Sequence, residues 1–172
     1  MIIHATRKLA QRLPEVPTGP PENDNAVGSW HADRQTLDRR QCVLFCHDET
    51  RAALFVADLR KPEFAELGNM VFRSVFSDTL RALDCPDSQI RRALMTLGSC
   101  SYDTSTDRSV LSSMRVVLQD LEAYLWNFPN VLQADPVEVS VRLTRQRSSS
   151  SASTLLVPGA ALTSSCHHSF LP

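Results

Sequence analysis

A chain of 172 residues with a net charge of −1 has the length of one domain, or of one domain and a tail. Apolar residues make up 42% of it, enough for a core, and a pI near 6.5 excludes the global basic footprint of non-specific nucleic-acid binding. No apolar run approaches the ~18–20 residues of a membrane span, and the start, residues 1–8, lacks the charged-then-apolar order of a secretory leader.

Residues 1–5 are short, apolar and suited to a strand. Thr6 then caps a brief helix over 7–13, which Pro14 stops. Prolines, glycines and the run Glu22-Asn23-Asp24-Asn25 predict a loop over 14–28. Trp30–Leu37 predicts a strand and Asp38-Arg39-Arg40 a turn into a hairpin over 41–57. Alternation places Cys42, Leu44 and Cys46 on one face and Val43, Phe45 and His47 on the other. The return run Ala53-Leu54-Phe55-Val56-Ala57 is apolar on both faces, as in a central strand covered on both sides. Five cysteines without a CxxC pair predict reduced thiols in a cytoplasm. Cys42 and Cys46 on one strand would lie ~13 Å apart at ~3.3 Å per residue, beyond a disulfide's reach.

Lys61-Pro62-Glu63 opens a long helix, with proline at the favoured first position and an acid at the positive end of the dipole. Its apolar stripe runs from Phe64 to Leu83, and Gly68 within it predicts close packing against a neighbour. Cys85-Pro86-Asp87 starts another helix, with Ile90, Ala93, Leu94 and Leu97 inward and Gly98 closing it. A short strand over 99–103 precedes the longest helix, 107–127. Asp135-Pro136 favours a short helix over the strand that Val137, Val139, Val141 and Leu143 would also permit. Residues 144–172 are rich in serine and small residues, have no burying period, and read as a low-complexity, disordered tail. The fold class is therefore α+β: an antiparallel sheet of about five strands with two long amphipathic helices packed on it, in a single domain over 1–143.

Two polar concentrations carry candidate chemistry. The hairpin turn offers His47 and Thr50 among carboxylates, yet no nucleophile elbow accompanies it. Thr104, Thr106, Asp107, Arg108 and Ser109 gather at a helix start, where N–H groups and the dipole favour an anion and Arg108 can clamp a phosphate. Capping alone accounts for the same residues. Cys166, His167 and His168 are adjacent and do not make a tetrahedral set, so neither a metal nor a cofactor is expected.

The blocks MIIHATRKLAQRLPEV, GSWHADRQTLDRRQCVLFCHDETR, FAELG and TDRSVLSSM resemble an uncharacterised bacterial family, a domain of unknown function. The resemblance spans residues 1–143 and implies a single cytoplasmic domain, with no activity to transfer. Ser112 and Arg115 stand where similar sequences carry glycine and asparagine, and the chain beyond Leu143 leaves the family pattern. The expected function is that of a small regulatory or protein-interaction module without catalysis, its partner another protein rather than a membrane or a nucleic acid. The alternative is an enzyme or binder of a small anionic, phosphorylated ligand at residues 104–109, with His47 and Thr50 contributing.

Overall fold

A computed structural model of the chain describes residues 1–14 and 28–146. Most of the predicted 14–28 loop, and the predicted tail beyond Gln146 with Cys166, His167 and His168, lie outside the described residues. Strand β1 (Ile2–Ala5) leads through helix α1 (Arg7–Ala10) to strands β2 (Trp30–Leu37), β3 (Arg40–His47) and β4 (Ala53–Val56). Helix α2 (Lys61–Ala65), a π-helical segment (Leu67–Phe72), α3 (Arg73–Ala82) and α4 (Asp87–Thr96) follow. Strand β5 (Ser101–Asp103), helix α5 (Arg108–Leu125), a 3-10 turn (Val131–Gln133) and helix α6 (Pro136–Gln146) complete the order.

The five strands lie in the order β4-β3-β2-β1-β5. Strands β2, β3 and β4 form the antiparallel meander that alternation predicts. Strand β1 departs from expectation: it runs parallel to both β2 and β5, so the sheet is mixed rather than antiparallel. Parallel neighbours need a connection of about a dozen residues or more, and the stretch between β1 and β2 supplies one. Between β2 and β3 only Asp38 and Arg39 intervene, with φ of 47° and 62°, the two-residue turn whose twist matches that of its strands.

Each sheet face carries its own core. On the first, Ile3, Trp30, Val43, Phe45 and Leu54 pack with Phe72, Phe76, Leu80, Ile90 and Leu97. On the second, Cys42, Leu44, Cys46 and Phe55 pack with Val110, Met114, Val117 and Leu121 of α5 and Val139 and Leu143 of α6. The hairpin's two faces are those read from alternation, and Leu54 and Phe55, neighbours in sequence, are fully buried in opposite cores.

Strand β4 is nevertheless the edge of the sheet, not a central strand. Its outer backbone is closed by side chains of α6. The Phe55 N–H donates to Ser140 Oγ (2.9 Å), and Thr144 Oγ1 donates to the Ala53 carbonyl (3.0 Å). Ser140 Oγ in turn donates to the Pro136 carbonyl one turn back (2.7 Å). Both hydroxyl residues are fully buried. The helix choice at Asp135-Pro136 holds, with the Asp135 carboxylate accepting from the Val137 N–H at 3.0 Å as an N-cap does.

The single helix expected from Lys61 to Leu83 starts where predicted but is interrupted by the π segment. There the Gly68 N–H donates to Tyr102 Oη at 2.7 Å, on β5. The close packing predicted at Gly68 is extreme: a Cβ built there would lie 2.1 Å from Cys100 Sγ and 2.9 Å from Tyr102 Oη. Burial pushes both the Cys100 thiol and the Tyr102 hydroxyl up from their ordinary values, so both stay protonated as donors.

Two substitutions probe this frame in denaturant melts. Phe55→Ala is expected to cost ~3–5 kcal/mol, the range for emptying a core aromatic site. Ser140→Ala is expected to cost ~1–3 kcal/mol, because the Phe55 N–H is left buried without an acceptor. A loss from Ser140→Ala no larger than that of an exposed serine would mean that the edge is not sealed by this hydroxyl.

Candidate functional site

The register of the parallel strands sets a row of polar side chains across the second face. His4 pairs with His31 on one side and with Asp103 on the other, and residues level across a sheet share a face. The two rings sit 4.8 Å apart, tilted by 49°. Asp48, just past β3, lies between them: Oδ1 is 2.7 Å from His31 Nδ1 and Oδ2 is 3.4 Å from His4 Nε2. On its other side His4 Nδ1 meets Asp103 Oδ1 at 2.6 Å. His31 is 2% exposed, while the His4 and Asp48 side chains are partly exposed, so the cluster is buried on one side and reaches the surface on the other.

The start of α5 closes the cluster from above. The Asp107 N–H donates to His31 Nε2 at 2.9 Å, so that nitrogen is an acceptor and the ring proton belongs on Nδ1, where it donates to Asp48. Ligand atoms of His4, His31 and Asp48 lie within 4.8 Å of one another, a spacing that invites a metal. A cation on His31 Nδ1 would drive the proton onto Nε2, directly against the Asp107 N–H. The donor set therefore fits a hydrogen-bonded lock better than a metal centre.

Ser105 gives the cluster the residue types of a Ser-His-Asp triad without its geometry. Ser105 Oγ lies 2.9 Å from His4 Nδ1, the same nitrogen that Asp103 occupies, and within 2.9 Å of both Asp103 oxygens. A triad needs the acid on one ring nitrogen and the hydroxyl on the other. Here the far nitrogen faces Asp48 instead.

The predicted residues fall into separate places. Asp107 is the N-cap of α5, accepting from the Ser109 N–H (2.6 Å) and the Val110 N–H (3.3 Å). These two bonds, the Ser109 one first, hold its carboxyl below the usual aspartate value. Ser109 Oγ accepts from Arg51 Nη2 at 3.1 Å, so the hairpin turn does reach the helix start, through Arg51. Thr104 and Thr106 line a cavity of 530 Å³ with Arg7 and Gln11, and Arg108 is exposed on the first turn. His47 and Thr50 sit on the hairpin side of that contact, where hydrogen bonds tie them to each other. His47 is level with Trp30 and packs edge-on against it on the first face, fully buried, and Thr50 bonds to its Nδ1.

His4, His31 and Asp103 were missed by sequence reasoning, because four residues from positions 4, 31, 48 and 103 meet only through strand register. The available signal was a histidine in place of an apolar residue on each of two strands, in IIHA of β1 and in the WHA that starts β2.

Among the described residues no helix is long and apolar enough to cross a membrane. Over residues 2–154 the chain matches the family described as "Domain of unknown function (DUF6933)", and it belongs to that family. The match runs past Leu143, where the resemblance was expected to end. No curated protein and no solved structure matches the chain.

Three measurements check the site. Long-range nitrogen–proton NMR is expected to show His31 as the Nδ1–H tautomer, and added zinc is expected to leave the melting temperature unchanged. A one-to-one zinc stabilisation, which would grow as RT ln(1 + [L]/Kd), would reverse that tautomer assignment. Asp107 supplies the pH arm. Its pKa is lowered on folding, so its contribution is fully present above its ordinary value of 3.8 and is lost as pH falls through the lower folded value. Asp107→Asn, which keeps a cap acceptor, is expected to flatten the acid limb of a melting-temperature–pH profile. An unchanged limb would assign the acid sensitivity to another group.

Proposed function

We propose that this protein is a regulatory or protein-interaction module without catalysis, and that it receives an apolar segment of a partner protein flanked by basic residues. The observation that carries this reading is a groove of 540 Å³ between the end of β4, the π segment and the start of α6. Its apolar surface comes from Val56, Leu59, Val71, Val75 and Val137, and its charged lining among the described residues is acidic: Glu63, Glu66 and Asp78. Met70, also lining it, is 64% exposed, and a flexible methionine beside an apolar groove suits an adaptable binding surface. Part of the wall is the π segment, and π-helical turns are frequent at functional sites.

The acidic rim selects the occupant. Charged rims contribute to specificity and encounter rate more than to affinity, so a partner with lysines or arginines beside an apolar stretch fits best. The polar cluster supports the non-catalytic part of the reading, since the hydroxyl and the acid compete for one nitrogen of His4.

The test places a photo-crosslinking residue at position 70 and, as control, at position 95, where Met95 is 80% exposed elsewhere on the surface. Capture at 70 but not at 95, through a partner segment that is apolar with basic flanks, is expected. Glu63→Lys combined with Glu66→Lys is expected to reduce that capture about tenfold at low salt, with the difference shrinking as salt screens the rim. Identical products from both positions, or capture indifferent to the charge reversal, would overturn the reading.

A further inference from the structure

The second sheet face holds another cavity, of 380 Å³, where α5 crosses beside α1 and β2. We propose that it is a binding site for a small organic anion with an apolar body, a carboxylate or a phosphate monoester. This site shares no residue with the groove and stands or falls independently of it.

Three cationic residues line the cavity: Arg7 and Lys8 from α1 and Arg115 from α5. Among the described residues none of the three forms an ion pair. Cations from two elements around one cavity raise its potential and concentrate anions there, and an arginine pair suits the two-oxygen geometry of a carboxylate or phosphate. The floor is apolar. Leu44 and Met114 are buried and Leu111 and Leu118 half-buried, so an anion that is only a charge would leave that surface wet. Its volume lies in the ~300–1,000 Å³ range of small-molecule sites.

Asp33 adds a selecting element. Thr6 Oγ1 donates to its Oδ1 and Gln35 Nε2 to its Oδ2, each at 2.5 Å. Thr6 was predicted to cap α1, but its hydroxyl makes no cap bond and is committed to Asp33 instead. The carboxylate is thus oriented from both sides, and about half of its roughly four lone-pair sites remain for a donor on the ligand. The favoured ligand is therefore an amphipathic anion carrying a hydroxyl or amine as well.

Isothermal titration at low salt with phenyl phosphate, benzoate, inorganic phosphate and phenol separates charge from body, with the Met114 methyl resonance as the local reporter. Phenyl phosphate or benzoate is expected to bind one-to-one, to shift the Met114 methyl, and to bind at least about tenfold more tightly than inorganic phosphate or phenol. Arg115→Ala and Arg7→Ala, both at exposed side chains, are each expected to weaken that binding about tenfold. Tighter binding of phenyl phosphate than of benzoate assigns a phosphate ester, and the reverse a carboxylate. No binding, equal affinity in wild type and both variants, or shifts confined to the Met70 or Met95 methyls would overturn the site.

Discussion

Leu54 and Phe55 are adjacent in the chain and both are fully buried, which a strand allows only if each face of the sheet is covered. That constraint organises the molecule. It requires helices on two sides, and the chain supplies them in separate blocks: α2, the π segment, α3 and α4 before β5, then α5 and α6 after it. The first block meets a largely apolar surface, with the buried His47 ring against Trp30, where Trp30, Phe45, Phe72 and Phe76 interlock edge-to-face and stacked. Aromatic contacts of this kind add ~0.5–1.5 kcal/mol each beyond the area they bury.

The second face is divided. Its β3–β4 half is apolar and lies under α5 and α6, whereas its β1–β2 half carries His4, His31, Asp33 and Gln35. Polar groups withdrawn from water cost free energy unless they are bonded, and here they bond to one another and to the start of α5. The histidine cluster is consequently a tie between distant segments, joining β1, β2, β5, the hairpin turn and α5 through side chains. The Asp33 cavity is the part of that strip that α5 leaves open.

Period-two alternation made the hairpin legible residue by residue, because which face a strand residue takes is local information. The start of α2 at Lys61-Pro62 and of α6 at Asp135-Pro136 were legible for the same reason, since caps and prolines act within one turn. The position of β1 was not, because nothing in the four residues IIHA specifies which strands they pair with or in which direction. The π segment was also hidden: it depends on Cys100 and Tyr102 meeting Gly68 from the far side of the sequence. Only the Gly68 contact itself could be anticipated. Of the candidate site, Asp107 was legible as a cap, while His4 and His31 became neighbours only once the register was known.

Sealing β4 with two hydroxyls rather than with another strand has a consequence for self-association. An edge strand's outward N–H and C=O groups are a template for pairing with a second chain, and among the described residues α6 stands in the way. The opposite edge, β5, is three residues long and offers little to pair with. Local opening of α6 alone, with the rest of the fold intact, would therefore uncover a β-compatible ALFV edge. The docking of α6 thus stands between that edge and pairing with a second chain, and an opening confined to α6 needs less free energy than global unfolding.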